Sequence, residues 1–168
     1  MAQTLPEFLR ARADRSFRDM LAEIQDVTIG EAFQFRVDNW PDHRWGIGQD
    51  GSIAGIVYHV AAWKQLTLPL FEPGGRPGTR DEFDAAAAPS RDDWPAIYTW
   101  LREVGKKWNA RISALSDEEF DSTRDWEGAM LPISSFVVEL MEHDVQHAAQ
   151  IAYIKQLIAC TQLHAAAR

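Results

Sequence analysis

The chain has 168 residues and a formal net charge of −8, with 46% hydrophobic and 25% charged residues. A chain of this length can bury roughly two thirds of the surface that its extended form exposes, so the composition excludes disorder, and residues 1–168 are expected to form a single domain. Lys and Arg are scattered rather than clustered, which leaves no electrostatic footprint for DNA or RNA and excludes nucleic acid as an expected partner.

The N-terminal stretch carries no apolar signal core, and no run of about 18 apolar residues occurs anywhere, so a membrane span is not expected. A cytoplasmic location is the default expectation. The first helix begins near Leu5 or Pro6, because proline is tolerated in a first turn. Phe17, Met20, Leu21, Ile24 and Val27 follow at helical spacing. The pattern allows this helix to continue through Ala32 and Phe35, against the resistance of Gly30. Pro41 and three glycines then make residues 39–51 irregular.

Ser52 is placed to cap a second helix whose buried side is Ile53, Ile56, Val57, Val60 and Trp63. His59 stands three residues after Ile56 and four before Trp63, so its imidazole points at or beside the core. This helix is expected to end around Thr67 to Pro69. Residues 72–93 hold three prolines and three glycines, with a minor helical turn expected around Asp81 to Ala88. A connector this long serves as a lid or site wall, or decorates the surface. Trp94, Ile97, Tyr98, Leu101, Val104, Trp108, Ile112 and Leu115 define a third helix, with Lys106 and Lys107 facing out. Asp117 to Trp126 is acidic and polar, and the segment from Gly128 to Pro132 leads into the last element.

The fourth helix should start near Pro132 or Ile133 and run to about Ala159. Ile133, Val137, Leu140, Asp144, His147, Ile151, Ile154 and Ile158 form one seam, with Phe136 and His143 beside it. Four long helical segments without a period-two strand pattern imply an all-α domain. A four-helix bundle is the simplest arrangement.

Two histidines and an aspartate interrupt that hydrophobic seam. Residues four apart on a helix share a face about 6 Å apart, so His143 and His147 can offer two imidazole nitrogens to one metal ion. A tight site needs a third ligand, and His59 is the other histidine in a strongly helical, partly buried context. A zincin pattern is excluded, because Asp144, Val145 and Gln146 stand between the pair where such a site needs its glutamate base. A ferritin-like di-metal centre would need repeated Glu-x-x-His pairs, which are absent, although Glu139 sits one turn before His143. Without a metal, each buried imidazole would need a backbone carbonyl or carboxylate partner instead.

Asp144 is the candidate catalytic residue: it can accept a hydrogen bond from the distal N–H of a ligand imidazole or from water on the ion. It can equally take a Lys or Arg from an adjacent helix as a buried ion pair. Gln150 is a candidate hydrogen-bond donor behind the ligands, or a packing residue. His43 and His164 are read as surface histidines, although His43 with Trp40 and Trp45 could wall a site mouth. Cys160, the single cysteine, cannot form an internal disulfide and is read as a small packing residue.

The run GSIAGIVYHVAAW at residues 51–63 and the run LMEHDVQHAAQI at residues 140–151, in this order and spacing, resemble the DinB/YfiT-like superfamily of four-helix metalloproteins. The resemblance implies an up-down-down-up bundle, often homodimeric, with the histidine triad falling on His59, His143 and His147. It also implies a divalent ion, nickel, zinc or iron, and a small-molecule substrate. Characterised members include transferases and isomerases that use a low-molecular-weight thiol (bacillithiol, mycothiol or glutathione), and many others have no established reaction. Ala149 departs from the family's glycine, a change expected to alter local packing more than ligation. The expectation is therefore a metal-dependent thiol transferase, isomerase or hydrolase, against a non-catalytic metal-binding or stress-associated interaction module.

Overall fold

The Thr4 hydroxyl accepts the Glu7 backbone N–H, and the Glu7 carboxylate accepts the Thr4 N–H, closing a capping box that starts the first helix. In the computed structural model, which describes residues 3–38, 47–79, 82–83, 88–126 and 128–166, this helix α1 spans Leu5–Ile24. It does not continue through Ala32 and Phe35. Thr28 and Glu31 close a second capping box that starts a separate short helix, α2, at Ile29–Phe33, and Phe35 lies beyond it at a φ of 67°.

Helix α3 spans Ile53–Thr67, with the Ser52 hydroxyl accepting the Gly55 N–H as expected, and runs into a 3-10 turn at Leu68–Phe71. Helix α4, Trp94–Ala114, is capped by Asp93 and has Pro95 in its first turn, where no intrahelical donor is lost. A third capping box, on Ser116 and Glu119, starts the short helix α5 at Asp117–Asp121. Two short strands follow: β1, Thr123–Trp126, pairs antiparallel with β2, Ala129–Pro132, in the register Thr123 to Pro132 and Trp126 to Ala129. The Asp125 carboxylate accepts the N–H of Gly128, whose φ of 86° suits the tight turn between them. Helix α6, Ile133–Ala166, runs seven residues past the expected end at Ala159.

The long helices pack as a four-helix bundle: α1 lies against α6 and α4, and α3 against α4 and α6. The short helices and the hairpin are additions to it. From Ile53 to Ala62 every residue of α3 is buried, as expected of a helix that is apolar nearly all round. The core has two apolar parts, one around Met20, Val57, Ile97 and Ile151 and the other around Leu9, Trp108, Phe120 and Val137. Lys64 bridges them: its ammonium stands 5.0 Å from the Phe17 ring centre in the first part and 4.5 Å from that of Trp108 in the second. No helix among the described residues is long and apolar enough to cross a membrane.

Candidate metal centre

The burial of α3 carries His59 into the bundle, where it is 3% exposed. One turn of α6 separates His143 from His147, and the packing of α3 on α6 closes the triangle. The His143 Nε2 lies 3.1 Å from the His59 Nε2 and 3.2 Å from the His147 Nε2, and one ligand atom from each ring falls within 4.8 Å of the others. The three histidines singled out from the sequence meet at one point.

The far side of each flanking ring decides which nitrogen holds the proton. The Ile47 carbonyl, 3.2 Å from the His59 Nδ1, can only accept, so that Nδ1 donates and the Nε2 presents a lone pair. In the same way the His147 Nδ1 donates to the Gln150 Oε1 at 2.8 Å, and its Nε2 lone pair also faces the centre. The His143 Nε2 meets both lone pairs, and a single N–H there would satisfy one of them. Protonating the rings to solve this is opposed by burial, which together with the charge of His147 holds His59 down to about 3. Burial, the other two histidines and Lys64 hold His143 at about 2, and burial lowers His147 as well. Three neutral imidazoles with converging lone pairs are the donor set a divalent cation requires.

Gln150 acts on the triad as an acceptor, where the sequence had suggested a donor. The loop that supplies the Ile47 carbonyl is held by Asp50. The Asp50 carboxylate accepts the Ser52 N–H at 3.1 Å and pairs with Arg36 at 3.2 Å and Arg91 at 3.5 Å, while Arg91 also donates to the Gly48 carbonyl. A Cβ at Gly55 would stand 2.2 Å from the Asp50 Oδ1, so only glycine lets this carboxylate close on the first turn of α3.

Asp144 is 1% exposed and pairs with the equally buried Lys64 at 2.8 Å. Its other oxygen, Oδ1, has no hydrogen-bond partner, so neither oxygen bonds an imidazole. Burial pushes the Asp144 carboxyl up, opposed by the Lys64 ammonium, and its negative charge in turn favours a proton on His147. Of the two roles the sequence offered, the buried ion pair is the one with a partner in place. Lys64 was overlooked, although it follows Ile53, Val57 and Val60 at helical spacing and so had to face the core.

A cavity of about 350 Å³ opens beside His143, lined by Trp63, Thr67, Trp126, Phe136, Glu139 and Leu140. Trp63 and Trp126 stack with ring centres 5.8 Å apart and planes 21° from parallel, and the Trp63 centre is 5.7 Å from that of His143. Trp126 reaches the cavity from the hairpin that the sequence did not reveal. The described part of 72–93 takes no part in lining it, and lines a separate cavity with Gln65 and Leu66. His164 is exposed and donates to the Cys160 carbonyl. Cys160 is exposed too, so it does not pack in the core. His43, Trp40 and Trp45 lie outside the described residues.

A family model described as the DinB superfamily matches residues 31–151. The chain belongs to the DinB superfamily. The match covers all of α3, with His59, and the first part of α6 through Ile151, with His143 and His147, and with the triad it identifies a DinB-type, metal-binding histidine site. A comparison with curated proteins finds no match.

Proposed function

We propose that this protein is a divalent-metal-dependent enzyme acting on a small molecule, by thiol-dependent transfer or isomerisation or by hydrolysis. The observation that carries this reading is the juxtaposition of a three-imidazole site with a cavity that reaches one of its rings. His59, His143 and His147 would hold nickel, zinc or iron, since neutral nitrogen ligands suit all three. When bound, such an ion supplies Lewis acidity that turns water or a low-molecular-weight thiol into a nucleophile near neutral pH.

The chain's own residues supply the rest. Ile47 and Gln150 fix the two flanking rings by holding their Nδ1 protons, which orients the site before any ligand arrives. Asp144 and Lys64 place a fixed, water-excluded dipole behind His147, and we assign Asp144 this electrostatic part in the chemistry. The aromatic wall beside His143 offers an apolar surface that positions the body of a small substrate. The apolar stripe of Val145, Tyr153, Leu157 and Leu163 exposed on α6 supports pairing with a second copy.

Metal binding without turnover is the competing reading. It is favoured by one observation: the buried carboxylate nearest the triad is engaged by Lys64 and bonds no imidazole. Metal analysis of protein purified without a nickel column, followed by thiol titration of a cobalt-substituted sample, separates the readings. The proposal expects a thiolate charge-transfer band that disappears in His143→Ala. A band that persists in that variant would overturn the thiol-binding mode, and an intact protein that retains no divalent ion would overturn the metal-dependent reading itself.

A further inference from the structure

The cavity beside His143 has a marked chemical bias. Its volume of about 350 Å³ falls at the small end of the roughly 300–1,000 Å³ usual for small-molecule sites. Trp63, Trp126, Phe136 and Leu140 supply its apolar surface. Trp126 packs on Trp63 at 5.8 Å and on Phe136 at 5.4 Å, so three aromatic rings form one continuous wall. Among the described residues that line it, the one carboxylate is Glu139 and none is Lys or Arg. The Thr67 hydroxyl donates to the Trp63 carbonyl at 2.8 Å, which leaves its lone pairs rather than its proton for a ligand.

Aromatic faces attract cations through the ring quadrupole. A carboxylate at the rim adds to that attraction, and the chain's net charge of −8 works in the same direction at longer range. A carboxylate or phosphate ligand would meet no cationic side chain among these lining residues. We propose that this cavity is a subsite for a small ligand bearing an organic cation on an apolar or aromatic body, with the Trp63–Trp126 wall and the Glu139 carboxylate as its recognition elements. The proposal rests on reading the cavity as the substrate site, and it narrows the substrate class: a donor group directed toward the triad is joined to a cationic body directed toward Glu139 and the rings.

Isothermal titration of the zinc-loaded 168-residue chain with benzyltrimethylammonium, benzyl alcohol and benzenesulfonate tests this. The quaternary nitrogen has no lone pair, so its binding reports the wall and not the ion. The cation should bind about tenfold more tightly than either of the other probes. Glu139→Gln, a change at an exposed position that leaves the fold intact, should cut that preference about fivefold, and Trp126→Leu should remove most of the remaining affinity. The same preference should persist after the metal is stripped. Equal or tighter binding of benzenesulfonate to the metal-stripped protein, where no ion can attract it, or affinities unchanged in both variants, would overturn the proposal. If zinc fails to bind while the cation preference is present, the metal reading falls alone. If zinc binds and the preference is absent, this inference falls alone.

Discussion

Lys64→Met isolates the energetics beneath the metal centre. Methionine keeps an unbranched stem between Phe17 and Trp108 but removes the ammonium that faces Asp144 at 2.8 Å. Asp144 Oδ1 already has no partner, so the variant leaves the whole carboxylate unpaired at 1% exposure. Breaking one side of a buried pair costs about 3–5 kcal/mol. For a chain of this size each kcal/mol lowers Tm by about 2–4 °C, so the expected drop is about 6–20 °C. The double variant Lys64→Met with Asp144→Leu removes both charges and should recover most of the loss, because exchanging a whole buried pair for apolar groups is often neutral or stabilising. Thermal and urea unfolding of the metal-free protein, followed by far-ultraviolet circular dichroism at pH 7, measures both effects. A single variant that loses less than about 1 kcal/mol, or a double variant as unstable as the single, would refute the ion-pair reasoning.

Replacing His59, His143 or His147 with alanine should each abolish stoichiometric zinc retention after gel filtration, read by elemental analysis, while the helical spectrum persists. Gln150→Leu removes only the acceptor for the His147 Nδ1 proton and should weaken zinc binding about 10–100-fold in a competition titration. The metal-free protein should lose stability as pH falls below 6.5, because the unfolded histidines take protons while burial keeps His59 neutral down to about 3. Stability is full above the unfolded value; at pH 5 the His59 contribution alone amounts to a loss of about 2 kcal/mol, and urea midpoints unchanged between pH 7 and pH 5 would contradict it. Gly55→Ala should cost about 1–3 kcal/mol in urea unfolding, because its methyl group would press on the Asp50 carboxylate.

The triad was legible because a helix converts four-residue spacing into a shared face, and because His143 and His147 interrupt a run of aliphatic residues. His59 was legible for the same reason on α3. The Lys64–Asp144 pair was not, since its partners stand 80 positions apart and only packing brings them together. The hairpin escaped because Thr123–Trp126 is four residues long and only half buried on alternate positions, which is too weak a period-two signal. With the hairpin went Trp126, and with Trp126 the aromatic wall. The break between α1 and α2 was written in the sequence: Thr28 and Glu31 have the spacing of a capping box, and that signal outweighs the apolar run that crosses it. Residues 159–164 of α6 are exposed, so the periodicity of burial had no reason to mark where the helix stops.

The length of α6 offers an experimental handle. Cys160 is the one thiol in the chain and is exposed thirteen residues beyond His147, which on a straight helix is about 20 Å. A spin label or fluorophore attached there would sit too far away to touch a ligand in the histidine cluster, yet close enough to sense a paramagnetic ion such as cobalt placed in it. The protein thus carries a native attachment point from which occupancy of its centre can be followed without altering any residue that builds it.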